Sequence, residues 1–319
     1  MDAPVGITIG DPAGIGPEVV GAALGAGSGS GSGSGSILGG RFRLYGPGPM
    51  VRALAAAVPG CDAVATTPTL DGVEIGRYTP ASGAASVAAL LAAARDLAGG
   101  RIAALVTGPI SKAALAEAGL PHPGQTELVA EACGVGRFAM MLAGPRLRVV
   151  LATTHMALRD VPAALTRERV FDASDLVAAF LRDRLRIEAP RLAVLGLNPH
   201  ASDGGRFGDE EERVIAPAIA RLRAAGIDAA GPLPADTAFH RAAAGAFDAV
   251  VAMYHDQGLG PLKLLHFPDA INVTLGLPRP RCSPDHGPAF DLAGTGRADP
   301  SSTRAAVAFA VTGSSPVPA

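Results

Sequence analysis

Apolar residues in this chain fall into short runs separated by longer segments with helical spacing. Val5–Ile9, Phe42–Tyr45, Ala103–Val106, Arg148–Thr153, Leu192–Leu197, Ala249–Met253 and Ile271–Leu275 read as strands. Most are nearly continuous in apolar residues, as strands of a parallel sheet covered on both faces are. Between them the period changes. Val214, Ile215, Ala218, Ile219 and Leu222 repeat along one face of a predicted helix at Glu210–Ala225, and Gly226 supplies its stop. Ala173, Leu176, Val177, Phe180 and Leu181 form a second such stripe. Alternation of this kind predicts right-handed βαβ crossovers and a doubly wound sheet. Gly27–Ser36 breaks the pattern as an unbroken Gly-Ser alternation, which cannot bury apolar surface and is expected as a flexible surface loop.

Composition narrows the function class. A length of 319 residues allows one large α/β domain or two moderate ones. With 48% apolar and 18% charged residues the chain is expected to fold. A net charge of -2 and 4% aromatics without Trp argue against a nucleic-acid partner. No uninterrupted apolar run is long enough to span a bilayer, and the N-terminus lacks a signal-peptide pattern, so a cytoplasmic protein with no membrane partner is expected. Cys61, Cys133 and Cys282 are far apart and read as reduced thiols.

Candidate chemistry gathers where predicted strands give way to loops. His155 (ATTHMALRD), His200 (LNPHASDGGRFGDEE) and His255 (MYHDQG) each follow a strand. Ligands of open α/β sheets bind outside the carboxyl ends of the strands. Spacing leaves two readings open: three imidazoles around one divalent ion with an open position, or three separate loop histidines with local hydrogen bonds. The loops GDPAGIGPE (Gly10–Glu18) and TGPISK (Thr107–Lys112) each run into a helix, whose first amides favour an anion, though neither matches a dinucleotide or P-loop fingerprint. The alternative for them is a turn with Pro at the first helical position. The stretch Asn272–Pro300, dense in Gly, Pro, Arg, Asp and His, is expected to be a long functional loop.

Taken together, GDPAGIGPE, VTGPISK, GQTEL, ATTHMALRD, LNPHASDGGRFGDEE, GPLPADT, MYHDQGLGPLK, INVTLGLP and SPDHGPAFDLAGTGRADP resemble the 4-hydroxythreonine-4-phosphate dehydrogenases of vitamin B6 biosynthesis. The last of these also resembles the nicotinamide-site loop of isocitrate and isopropylmalate dehydrogenases. The resemblance runs to about residue 302. It implies a two-domain α/β fold of that kind, with mostly parallel doubly wound sheets (α/β/α) and the active site in the cleft between domains. Residues 1–127 with 290–319 would form one domain and 128–289 the other.

The resemblance also implies roles. His155, His200 and His255 become ligands of a divalent metal (zinc, magnesium, manganese or cobalt) at the interface of a homodimer, with ligands from both subunits. Gln125, Thr126, Lys263, Asn272 and Arg281 fall on substrate-binding positions, and Lys112 and Asp236 on candidate catalytic ones. The loop His286–Gly294 would meet NAD or NADP, through His286, Gly287, Asp291 and Gly294. The implied reaction oxidises the secondary alcohol of 4-phosphohydroxy-L-threonine to a 3-oxo acid, which loses CO₂ to give 3-amino-2-oxopropyl phosphate. Gln125 stands where the family usually has His, and Ser111 where His often precedes the Lys. Gln can donate a hydrogen bond but cannot carry a positive charge or move a proton near neutral pH. A related dehydrogenase of 4-phosphothreonate- or erythronate-type sugar acids, or of a dihydrodiol, is therefore the alternative. Beyond it stand a metal-dependent hydrolase and a non-catalytic metabolite-binding protein.

Overall fold

The computed structural model describes residues 3–25, 40–120, 122 and 124–313. The Gly-Ser run lies outside them. The chain divides into two compact units, Met1–Gly136 with Leu277–Pro316, and Arg137–Gly276. The boundaries differ from those expected at 127/128 and 289/290. Gly276, the last residue of the second unit before Leu277, has φ +89°, a conformation that favours glycine, and a Cβ there would lie 2.5 Å from the Arg137 carbonyl oxygen.

In the first unit the strand order is β3-β2-β1-β4-β11, for β1 (Val5–Thr8), β2 (Phe42–Pro47), β3 (Cys61–Thr67), β4 (Ala104–Thr107) and β11 (Arg281–Pro284). All four pairings are parallel. Its helices are α1 (Gly16–Leu24), α2 (Gly48–Ala57), α3 (Pro80–Ala98), α4 (Lys112–Glu117), α5 (Gln125–Ala132) and α11 (Ser301–Thr312). The second unit orders its strands β10-β5-β6-β9-β7-β8, for β5 (Ala139–Ala143), β6 (Arg148–Leu151), β7 (Arg191–Leu195), β8 (Asp228–Leu233), β9 (Ala249–Ala252) and β10 (Ile271–Leu275). There β5 runs antiparallel to both β10 and β6, and the remaining pairs are parallel. Its helices are α6 (Val161–Ala164), α7 (Arg167–Asp183), α8 (Ala216–Ala224), α9 (Ala235–Ala243) and α10 (His255–His266).

Every predicted strand is present, and four unpredicted ones join them. β3 is exposed along much of its length and β8 carries Gly231-Pro232, as an edge strand tolerates. β5, AMMLA, is built of good helix formers, and β11, RCSP, is short and polar. The stretch Asn272–Pro300 is therefore not one loop: it begins inside β10 and contains β11. The helix predicted at Glu210–Ala225 is a π turn, Glu211–Ile215, followed by α8. Pro217 has no N–H to continue the ladder, and the Arg213 carbonyl accepts from Arg167 Nε at 2.8 Å instead. Val214, Ile215, Ala218, Ile219 and Leu222 are all buried, as their spacing predicts.

Helix α3 is long and apolar enough by composition to cross a membrane, with a mean hydropathy of 1.2, although Ser82, Ser86, Arg95 and Asp96 interrupt it. Its Leu90, Ala93, Ala94 and Leu97 are fully buried in the first unit's core, against Tyr45, Leu105 and Leu115. Thr79 and Ser82 close its first turn as a capping box around Pro80.

The loops after β1 and β4 touch backbone to backbone. A Cβ on Gly108 would lie 2.6 Å from Gly10 N and 2.7 Å from Thr8 O. Gly108→Ala is expected to destabilise the protein by at least about 2 kcal/mol, because rigid backbone must move aside. A urea-denaturation midpoint measures it; an unchanged midpoint would contradict this account of the loops.

Candidate active site

In the second unit, two of the three strand-end histidines are brought together by register. β6 and β9 are parallel neighbours with Leu151 opposite Ala252. The ladder continues past both strands, through Ala152 N to Ala252 O at 2.9 Å and Thr153 N to Met253 O at 3.2 Å. His155 and His255 each follow by a few residues, and their ring centroids lie 5.6 Å apart. Both line a cavity of about 390 Å³, together with Thr154, Met156, Tyr254 and Asp256. The Asp256 carboxylate takes His255 Nδ1 at 2.6 Å. That fixes the ring's orientation and makes Nε2 the nitrogen available to a metal, a common arrangement for a ligating histidine. These two imidazoles are donors of the kind a divalent ion takes, short of a full set.

His200 lies on the loop after β7, the strand on the other side of β9. Gln257 ties the two strand ends together, accepting from Met253 N at 2.7 Å and donating to Gly196 O at 2.7 Å. The ring of His200 sits beside Phe207, at 6.4 Å between centroids. Among the described residues no three His, Cys, Asp or Glu side chains gather as a metal-binding group. One chain thus joins His155 to His255 and holds His200 on the adjacent loop.

The His200 loop is strained and well braced. His200, Ala201, Ser202 and Asp203 all have positive φ, at 55°, 52°, 73° and 45°. Such a conformation costs about 1–2 kcal/mol per residue outside glycine. Buried Glu211 accepts from the amides of Leu197 and Asn198, each at 2.8 Å, and from Asn198 Nδ2 at 2.9 Å. Ser202 Oγ donates to Gly208 O at 2.5 Å and accepts from Gly205 N at 2.9 Å. The GDEE motif therefore shapes the loop that carries His200.

In the first unit, Arg281 is 2% exposed at the start of β11. It pairs in register with Leu105, and Thr107 is two residues further along the same face of β4. Its guanidinium donates to Thr107 Oγ1 at 2.5 Å and Thr126 Oγ1 at 3.0 Å. Burial pushes the group down to about 10, with Cys282 and Glu127 opposing, so it remains cationic near neutral pH. Gln125, at the start of α5, donates from Nε2 to Gly108 O at 3.2 Å. A carbonyl only accepts, so this bond fixes the amide's orientation. Gln125 Oε1 is buried and has no hydrogen-bond donor among the described residues. Lys112 is exposed in the first turn of α4, behind the Ser111 cap.

The other expected residues are also placed. In the second unit, Lys263 is half-buried on α10 and Asn272 is half-buried on β10, its Oδ1 without a donor among the described residues. Asp236 is exposed at the start of α9, its carboxylate accepting from Thr237 N at 2.9 Å. In the first unit, Asp291 lies exposed in a 3-10 turn, Phe290–Leu292, with Gly294 beyond it at φ +75°. His286 Nδ1 lies 3.0 Å from Gly287 O.

The amides of GDPAGIGPE, expected to face an anion, turn inward. Asp11 N donates to Pro109 O, Ala13 N to Asp11 Oδ1, Gly14 N to Asp11 O, and Ile15 N to Pro288 O, all at 2.8–3.1 Å. The loop's work is to join other loops.

Comparison with known proteins accords with this arrangement. A family model described as pyridoxal phosphate biosynthetic protein PdxA matches residues 50–310. The chain belongs to the PdxA family. A 4-hydroxythreonine-4-phosphate dehydrogenase of Geobacter metallireducens is 48% identical over 95% of this chain and 93% of its own. A crystal structure of the Klebsiella pneumoniae 4-hydroxythreonine-4-phosphate dehydrogenase is 36% identical, with a TM-score of 0.85 over 98% of this chain and 100% of that one. A terephthalate 1,2-cis-dihydrodiol dehydrogenase from Burkholderia xenovorans is 30% identical, with a TM-score of 0.69 over 98% of each chain. With these relatives, the chain is an oxidoreductase. That leaves the hydrolase and the non-catalytic binder without support.

The expected site residues did not include Thr107, Asp256, Glu211 or Asp11. Asp256 could have been found as a carboxylate adjoining a candidate ligand, and Asp11 as an Asp whose side chain caps its own turn. Glu211 and Thr107 gave no local signal. Glu211→Ala leaves the part-buried amides of Leu197 and Asn198 without their acceptor and is expected to cost about 1–3 kcal/mol in all. Urea denaturation measures the loss; a change below about 0.5 kcal/mol, the usual effect of a surface substitution, would show that the brace is not Glu211.

Proposed function

We propose that the protein oxidises the secondary alcohol of 4-phosphohydroxy-L-threonine with NAD or NADP, in a reaction that requires a divalent metal and ends in loss of CO₂ to give 3-amino-2-oxopropyl phosphate. The observation that carries the reading is the His155–His255 pair, with His255 oriented by Asp256 in a cavity of about 390 Å³. His155, His200 and His255 would hold the ion, the set being completed across a homodimer because one chain gathers only two of them. When bound, a zinc, magnesium, manganese or cobalt ion there supplies Lewis-acid stabilisation of the charge developing on the substrate oxygen. The nicotinamide, received by the loop with His286, Gly287, Asp291 and Gly294, supplies the hydride acceptor.

The chain's own residues account for the rest. Arg281, buried and held by Thr107 and Thr126, would fix an anionic group of the substrate in a defined direction. Lys263 and Asn272 would take part in the same recognition. The orphaned acceptors Gln125 Oε1 and Asn272 Oδ1 would be satisfied by donors that arrive with the ligand. Lys112 or Asp236, directly or through a water, would take the hydroxyl proton.

Gln125 favours a second reading. Its amide is held by Gly108 and presents an acceptor, whereas a histidine at this position could donate to an anion. The second reading is the same machinery acting on a 4-phosphothreonate- or erythronate-type sugar acid or a dihydrodiol.

NADH formation from 4-phosphohydroxy-L-threonine, with and without chelator and added metal, tests the primary reading. Metal-dependent NADH formation is expected, with loss of turnover in His255→Ala. Activity of His255→Ala equal to the parent at trace metal would overturn the metal assignment. No turnover alongside intact cofactor binding would shift the substrate to the second class. Asp256→Ala is expected to weaken metal binding by about 10–100-fold, read by calorimetric titration of the metal. An unchanged affinity would remove Asp256 from the site.

A further inference from the structure

The Asp11 side chain has no exposed surface and no part in the chemistry above. Burial raises its carboxyl, against the Ala13 amide and the Ser82 hydroxyl, which favour the charged form. A buried carboxylate is costly to keep unless its hydrogen bonds do something useful. Here one oxygen accepts from Ala13 N at 2.9 Å and the other lies 3.3 Å from Ser82 Oγ, in the first turn of α3. The carboxylate therefore closes the turn Asp11–Ile15 and pins it to the capping box of a core helix.

That turn holds two further segments by its backbone. Ile15 N donates to Pro288 O at 2.8 Å. Gly14 faces Pro288 so closely that a Cβ would lie 2.6 Å from its carbonyl oxygen. Ala13 O accepts from Gly76 N at 2.8 Å. The segment around Gly76 then supports the same loop as Pro288 does. Tyr78 meets Phe290 edge-on at 6.3 Å between centroids, and a Cβ on Gly294 would lie 3.2 Å from the Ile75 side chain. Two separate routes thus run from Asp11 to the ends of His286–Gly294.

We propose that Asp11 is the positioning residue of the loop His286–Gly294: its carboxylate sets the turn that holds Pro288 directly and Phe290 and Gly294 through the segment Ile75–Tyr78. The inference rests on the proposed function only in taking this loop to meet the dinucleotide. It assigns Asp11 no contact with cofactor or substrate.

The test uses the full chain in three forms: Asp11→Ala, Asp11→Asn and Ser82→Ala. Asn keeps an acceptor for the Ala13 amide and can donate to Ser82 Oγ, so it is the rescuing variant. Hydrogen exchange is followed at Leu292, Ala293 and Thr295, whose amides bond to Ala289, Phe290 and Leu292 carbonyls. The amides of Ala152 and Thr153, in the other unit, serve as controls. Asp11→Ala is expected to speed exchange in the loop by about ten-fold and to weaken NADH binding by a similar factor, the size of one charge-assisted hydrogen bond. The control amides should be unchanged, and Asp11→Asn should match the parent. Loop exchange in Asp11→Ala equal to the parent, or equal acceleration at the control amides, would overturn the proposal. Should Asp11→Ala not fold, Ser82→Ala carries the test, with a smaller change in the same direction expected and no change overturning it. If the parent itself fails to bind NADH and NADPH while Asp11→Ala still loosens the loop, the cofactor reading falls and the positioning role stands.

Discussion

The first unit depends on a contact in which no side chain takes part. Where β1 and β4 end, Gly10 and Gly108 bring two backbones together closely enough to exclude a Cβ on Gly108. This approach puts Pro109 O within reach of Asp11 N, and leaves Gly108 O available to Gln125. It also keeps Thr107, one residue earlier, at the end of β4 where Arg281 can reach it. A methyl group at position 108 would disturb the Asp11 turn and the Thr107–Arg281 contact together.

The second unit solves a different problem with register. Parallel neighbours end side by side, so residues at equal distances beyond paired positions stay close. His155 and His255 meet because β6 and β9 do, and Asp256 and Gln257 then orient one ring and tie in the end of β7. His200 needs more, because its loop runs through four positive-φ residues. Glu211 and Ser202 supply hydrogen bonds that hold this conformation. Strain held in this way at a strand end is a mark of a functional loop.

Much of this was legible in the chain. Continuous apolar runs located the buried strands, and the stripe through Val214 and Leu222 located the helix, because burial leaves a periodic trace. Edge strand β3, Met- and Ala-rich β5, Gly-Pro-containing β8 and polar β11 left none, since their pairing is decided by neighbours distant in sequence. The same holds for the site. His155, His200 and His255 stand out as residue types at strand ends, and Arg281 through its motif. Thr107, Glu211 and Asp11 act through partners that only the fold brings near. Glycines 14 and 108 could be read as turn residues, but not as contact points. Pro217, whose missing N–H ends the ladder to the Arg213 carbonyl, is visible in the sequence, but the π turn at Glu211–Ile215 before it is not.

X-ray absorption at the zinc edge of the zinc-loaded protein bears most directly on the central claim, that these histidines form one metal site. The account predicts nitrogen ligands at about 2.0–2.1 Å with imidazole outer-shell scattering, reduced in both His155→Ala and His200→Ala. An oxygen-only shell, the same in the parent and both variants, would contradict it.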